Sequence, residues 1–326
     1  MFTPDREHLA ILSSMQRNAD SNTHMHSMHM PGHANSNEIT PYLNSLLMEH
    51  GGSKLEGSSD EHFGNLGNYF PPTGALKQSQ ELATSLYKTE KTFYGINGST
   101  GILFSATRVL GGPSKKVLLP RNLHRSIIHG FRMTGAEIKF MVPDFRPKFG
   151  VFDPISYETI KEELEKDRSI DVIALTSPTY DGLTAEVSKI AKLCKENNVR
   201  LLVDGAHSSL YPFHSEIFPE SGIGVDGVDM VVQSLHKAAG SFSQTSLLHL
   251  NKGSPVQESA IETAMFITST TSPSNILFAS MEESIYNMFS EQGKKLIEET
   301  VERATRLKEE LSQIEGVNIL QPNGYK

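Results

Sequence analysis

Two short stretches near the middle of the chain hold the residue types that amine chemistry needs. Asp204 ends the apolar run "LLVD", and His207 follows three residues later. Ser234, His236 and Lys237 follow a second apolar run, "MVVQ". A carboxylate placed straight after apolar residues is expensive unless it is partnered, and its plainest reading is a satisfied helix cap or a surface turn. A lone lysine usually snorkels to water. Held in a desolvated pocket it becomes a nucleophilic amine able to form a Schiff base. A third stretch, Asn97-Gly98-Ser99-Thr100, closes the run "TFYGI" and precedes a helical pattern. Glycine lets the backbone approach a ligand, and hydroxyls with helix N-terminal N–H groups make an anion cradle. Its simple reading is again a cap. A fourth, "TSPTYDG" at 176–182, offers Ser177 and Thr179.

Each signal is weak alone, but together they describe one cofactor. Pyridoxal 5′-phosphate (PLP) needs a phosphate cradle, an acidic partner for its pyridine nitrogen and a lysine for its aldehyde. In chain order these are Asn97–Thr100, Asp204 and Lys237, with room for one further strand between the last two.

The elements that must position these residues show in the alternation of the chain. Apolar runs rich in Val, Ile and Leu lie at 92–96, 116–120, 138–143, 171–178, 199–207, 229–237 and 245–250. Continuous apolar runs suit strands buried on both faces. Between them, "SYETIKEELEKD" at 156–167 places Ile160 and Leu164 on one helical face, with Ser156 as its N-cap. In "AEVSKIAKLCKENN" at 185–198, Val187, Ile190, Ala191 and Cys194 form an apolar stripe that Asn197-Asn198 closes. The pattern predicts an α/β fold with a mostly parallel central sheet and helices on both faces. Ligands then collect at the carboxyl ends of the strands, where the four stretches lie.

Composition narrows the field. The chain has 326 residues, 37% of them hydrophobic and 21% charged, as in an ordinary globular protein. Lys and Arg number 30 against 38 Asp and Glu, a net charge of −8 that argues against nucleic acid as a partner. One cysteine, Cys194, excludes an internal disulfide and suggests a reducing cytosol. Neither a secretory signal nor a membrane span is apparent, so a soluble, cytoplasmic protein is expected. Histidines 24, 26, 29 and 33 in "THMHSMHMPGH" raise the question of a metal. Their spacing is not a standard zinc pattern and no cysteine is near, so no metal is expected.

The set of motifs resembles the major domain of the ornithine/lysine/arginine decarboxylases, which are fold type I PLP enzymes related to aspartate aminotransferase. The motifs are "HMPGH" (29–33), "PPTGALKQSQELA" (71–83), "NGST" (97–100), "RNLHRS" (121–126), "SPTYDG" (177–182), "VDGAH" (203–207), "SLHK" (234–237), "QTSLLH" (244–249) and "TTSPSN" (270–275). The resemblance implies an aspartate-aminotransferase-like large domain and decarboxylation of a basic amino acid to its amine, as in polyamine biosynthesis. Lys237 matches the Schiff-base lysine and Asp204 the partner of the pyridine nitrogen. Ser99, Thr100, Ser234 and His236 match phosphate contacts. His124 matches the residue stacked on the ring, and His207 a histidine beside the reacting centre. "TTSPSN" resembles a segment reaching a partner subunit's cofactor, which implies a homodimer or higher homo-oligomer. "HMPGH" resembles an N-terminal signature whose Pro31-Gly32 turn lies near the active-site entrance.

Two segments depart from the family pattern: "HANSN" after the N-terminal signature, and the altered stretch upstream of "PTG". Both bear on substrate choice. The expected organisation is an arm and entrance segment at 1–70, a PLP-binding major domain at 71–280, and a helical connection at 281–326 towards a small C-terminal domain that is absent from this sequence. Two alternatives remain: an aminotransferase or other PLP enzyme on the same scaffold, or a truncated chain with little turnover.

Overall fold

A computed structural model describes residues 40–55 and 66–321. The histidine-rich stretch at 23–33, the "HANSN" segment and most of the altered stretch before "PTG" lie outside them.

Seven strands form one sheet in the order β1-β9-β8-β7-β6-β2-β3. They are β1 (Lys91–Gly95), β2 (Lys116–Pro120), β3 (Glu137–Met141), β6 (Val172–Thr176), β7 (Arg200–Asp204), β8 (Met230–Gln233) and β9 (Ser246–Leu250). A separate antiparallel pair joins β4 (Phe145–Arg146) to β5 (Val151–Phe152). Every predicted apolar run overlaps a strand of the main sheet. The hairpin had no such signal, because two residues per strand are too few to show a period.

Strands β3, β2, β6, β7 and β8 run parallel, whereas β9 is antiparallel to both β8 and β1. The reversal follows from chain length. Parallel neighbours need a long crossover, and residues 234–245 between β8 and β9 hold only a one-turn helix.

The central strands are buried on both faces. Val117, Leu119, Val172, Ala174, Leu202, Met230 and Val232 join one apolar cluster. Their alternating neighbours Leu118, Ile173, Leu175, Leu201, Val203 and Val231 join another. Helices α3 (Gly98–Leu110) and α4 (Arg125–Thr134) supply Ile102, Leu103, Ala106, Ile127 and Phe131 to the first. Helices α5 (Tyr157–Lys166) and α6 (Val187–Glu196) supply Ile160, Leu164, Ile190, Ala191 and Cys194 to the second. Ser156 caps α5 by accepting from the Thr159 N–H at 3.1 Å. Asn197 ends α6, and Asn198 turns the chain at φ 55°. Strand β3 departs from the expectation of two-sided burial. It is the sheet edge, and Phe140 is exposed there.

Helix α1 (Pro41–His50) and helix α2 (Gly74–Tyr87) precede the sheet. After β9 come α8 (Glu258–Thr268), α9 (Asn275–Phe289) and the long α10 (Glu291–Ser312), α7 being the short turn at Leu235–Ala238. The Glu283 carboxylate on α9 accepts from the N–H groups of Tyr42 and Leu43, capping α1 across 240 residues of sequence. No helix among the described residues is long and apolar enough to cross a membrane.

Gly227 shows how closely the layers approach. Its φ is +93°, and a Cβ there would lie 2.4 Å from the Ala191 carbonyl oxygen of α6. Both the backbone conformation and the contact demand glycine. Gly227→Ala is therefore expected to lower stability by at least about 2 kcal/mol, seen as a lower urea midpoint with an unchanged slope. An unchanged midpoint would contradict the packing described.

Candidate active site

Four strand ends converge at the carboxyl edge of the sheet. Strand β7 delivers Asp204, which is 1% exposed. Its Oδ1 accepts from the Ala206 N–H at 3.1 Å. The capping reading is thus met in part, but by a carboxylate held inside the protein. Burial pushes its pKa up to about 6, against the lowering effects of the Ala206 N–H and of Lys237.

Strand β8 leads through Ser234 into α7, which carries His236 and Lys237. Ser234 stands at the N-cap of α7 without capping it. Its hydroxyl instead donates to Ser99 Oγ at 2.9 Å. That contact spans β9, which lies between β8 and β1. His236 Nδ1 donates to the Thr245 carbonyl at 2.7 Å, leaving Nε2 available. The segment after Lys237 is tied to α9, where Ser284 donates to the Ala239 carbonyl at 2.6 Å and Ser241 pairs with Ser280 at 3.0 Å.

Lys237 does not snorkel freely. It is half-buried, and its Nζ lies 3.1 Å from His207 Nε2. Burial lowers the lysine pKa, opposed by the charge of Asp204. His207 falls to about 4 through burial, then through Lys237, His124 and His236. His124 and His236 are lowered as well, with burial the largest cause and Lys237 contributing to both. These mutual effects place Lys237, His207, His124, His236 and Asp204 in one electrostatic neighbourhood. With His207 neutral at pH 7, its Nε2 accepts from the Lys237 ammonium and its proton sits on Nδ1.

Helix α3 presents its N-terminus from the other side. Asn97 occupies the N-cap position, yet its side chain makes no capping bond. Gly98 has φ +65°, and nothing lies within 4 Å of where its Cβ would be. Ser99 is half-buried and Thr100 exposed at this turn. The result is an open first helical turn beside the hydroxyls of Ser99 and Ser234, on the same edge of the sheet as Lys237. Such a place suits a dianionic phosphate. The donor set around it, a buried carboxylate, a half-buried lysine and a hydroxyl-lined helix terminus, fits PLP in kind.

His124 occupies the N-cap of α4, with Nδ1 accepting from Ser126 N at 3.3 Å and lying 2.7 Å from its hydroxyl. That bonding fixes the ring while leaving the residue exposed. Ser177 and Thr179 are not part of the cluster. Ser177 Oγ accepts from Ala185 N and Thr179 Oγ1 from Leu183 N, so both hold their own loop together. Tyr180, in the same loop, was given no role from sequence. It is 85% exposed, and its ring stands edge-on to His207 at 5.8 Å. Its place in a strand-end motif was the only available signal. "TTSPSN" forms the surface connection between α8 and α9.

The chain is similar to known proteins over most of its length. The model of the Orn/Lys/Arg decarboxylase major domain matches residues 16–325. The arginine decarboxylase of Bacillus anthracis is 30% identical over 287 residues, covering 88% of this chain and 57% of that protein. The chain therefore spans little more than half the length of this relative. Among solved structures, lysine decarboxylase A from Pseudomonas aeruginosa superposes with a TM-score of 0.71 at 24% identity, over 97% of this chain and 46% of that one. A structure of SPT with PLP superposes at 0.58 with 16% identity, over 86% and 72%. Those two likenesses show the fold, an α/β fold type I architecture with a mostly parallel central sheet. On the extent of the family match, the chain belongs to the Orn/Lys/Arg decarboxylases and carries the sequence of their major domain.

Proposed function

We propose that this chain forms the PLP-binding part of a decarboxylase that converts a basic amino acid (lysine, arginine or ornithine) into the corresponding amine. The observation that carries the reading is the half-buried Lys237, in contact with His207 and electrostatically coupled to the buried Asp204. Family membership supports decarboxylation over amino-group transfer. The relatives' names, arginine decarboxylase and lysine decarboxylase, support a basic substrate without choosing among the three.

In this reading Lys237 would hold the aldehyde and Asp204 the pyridine nitrogen. Ser99, Thr100, Ser234, His236 and the α3 N-terminus would hold the phosphate, and His124 and His207 would flank the ring. When bound, PLP supplies an electron sink that accepts the electron pair left by departing CO2. The protein's own groups do the rest. Burial keeps a larger share of Lys237 as free amine, ready to bind or to carry a proton on Nζ. His207 Nε2 takes up and returns that proton while staying neutral at rest. Asp204 offsets the positive charge that would otherwise gather beneath it.

The reading extends to organisation. Residues 1–70 would act as arm and entrance, 71–280 as the PLP-binding domain and 281–326 as a helical connection. The enzyme would work as a cytoplasmic homodimer or larger homo-oligomer. The exposed position of the α8–α9 connection and of neighbouring Phe266 and Ile267 supports a subunit contact there. The relatives' greater length supports a further region closing over the substrate.

Two outcomes follow. Given lysine, arginine and ornithine in turn, PLP-loaded protein should release CO2 from at least one, without forming a keto acid from added pyruvate or 2-oxoglutarate. Amino-group transfer without CO2 would assign the aminotransferase alternative. Asp204→Asn keeps an acceptor for the Ala206 N–H, so thermal stability should change little. The loss of a charge partner should still cost about 100-fold or more in kcat/KM. Turnover near wild type would return Asp204 to a structural role.

A further inference from the structure

The buried imidazole of His249, in the "QTSLLH" motif, has no place in the chemistry above. It lies on β9, fully buried, opposite Thr92 on β1 and Val231 on β8. Both ring nitrogens have partners. Nδ1 is 3.0 Å from Thr92 Oγ1, and Nε2 is 3.3 Å from Gln233 Oε1. Gln233, also fully buried, is the last residue of β8, directly before Ser234. Its Nε2 donates to the Ser208 carbonyl at 2.8 Å and reaches Ser208 Oγ at 3.2 Å.

The donors along this chain can be ordered. Ser208 Oγ gives its proton to the Gly205 carbonyl at 2.9 Å, so towards Gln233 it can only accept. Gln233 must therefore turn its NH2 to Ser208 and its Oε1 to His249. His249 must then carry its proton on Nε2 and accept at Nδ1. Thr92 donates to Nδ1 and accepts from Thr89, 2.9 Å away. Burial holds the His249 pKa down at about 3, so the ring stays neutral. At its far end the chain fixes the turn Gly205–Ser208, which also contains the Ser208 N–H to Gly205 carbonyl bond at 2.8 Å. His207 sits in that turn and touches Lys237.

We propose that His249 and Gln233 are positioning residues: the Nε2–H tautomer of His249 orients the Gln233 amide, which holds the Gly205–Ser208 turn so that His207 Nε2 meets Lys237 Nζ. The role of the pair in catalysis rests on the function proposed above, but the mechanical coupling from His249 to the turn does not. A buried, fully satisfied network of this kind specifies one arrangement, because every alternative leaves an unpaired donor or acceptor in an apolar interior.

The test uses the full chain loaded with PLP and compares wild type with His249→Leu, His249→Gln and Thr92→Val. Peptide-resolved hydrogen exchange over residues 204–210 reads the coupling whether or not the protein decarboxylates. We expect exchange about tenfold faster in His249→Leu, with His249→Gln restoring most of the protection because its amide can donate to Gln233. The absorbance band of bound PLP above about 400 nm, followed against pH, should shift its midpoint by about one unit in His249→Leu. A second substitution, His207→Asn, should remove most of that difference, since the effect passes through His207. Should His249→Leu fail to fold, Thr92→Val carries the test and should move both readouts the same way by a smaller amount. Unchanged exchange in the turn, or a midpoint shift that survives His207→Asn, would overturn the inference. A wild-type protein that forms no such band would refute the proposed function while leaving the exchange result to decide the coupling.

Discussion

An ionisable carboxylate buried at the end of an apolar strand sets the terms for this structure. Asp204 is 1% exposed and receives a single backbone N–H at Oδ1. Burying such a charge costs several kcal/mol unless other charges offset it. The offset comes from Lys237, which lies one strand away and is itself half-buried. Neither group is comfortable alone. Burial pushes the acid up and the amine down, towards their neutral forms, and each draws the other back. Perturbed groups of this kind, gathered at the carboxyl edge of a parallel sheet, mark functional sites more often than structural ones.

The fold is arranged to keep these two groups in register. Parallel pairing of β7 with β8 aligns Asp204 with Val232, two residues before Ser234. The antiparallel β9 begins at this same edge of the sheet, and there Ser234 reaches across it to Ser99. Helix α9 anchors the segment after Lys237 through two serines. Stability and chemistry thus draw on the same contacts. The core strands cannot shift without separating the lysine from the carboxylate.

Much of this was legible from sequence, for physical reasons. Two-sided burial makes a strand read as an unbroken apolar run, so β2 was found at its true limits, 116–120. Ser156 and Asn198 were readable because capping and left-handed turns favour those residue types. The site stretches were legible because polar residues after apolar strands are costly, and Asp204, Ser99, Ser234 and Lys237 do converge. The antiparallel direction of β9 went unread: a strand's own residues do not record it, and the signal lay instead in the short connection at 234–245, too short for a parallel crossover. Nor was the His249–Gln233 chain legible, because a buried histidine looks like any other until its partners across three strands are known. Ser177 and Thr179 misled for the opposite reason: hydroxyls at a strand end serve a loop as readily as a ligand.

The central claim is that Lys237, poised by Asp204 and His207, is the amine that takes up PLP. Borohydride reduction of the PLP-loaded chain, followed by peptide mapping, tests it most directly. The account predicts a pyridoxyl group on Lys237 and on no other lysine, with labelling lost in Lys237→Ala while that variant keeps its fold. A label on any other lysine, or full labelling in Lys237→Ala, would contradict it.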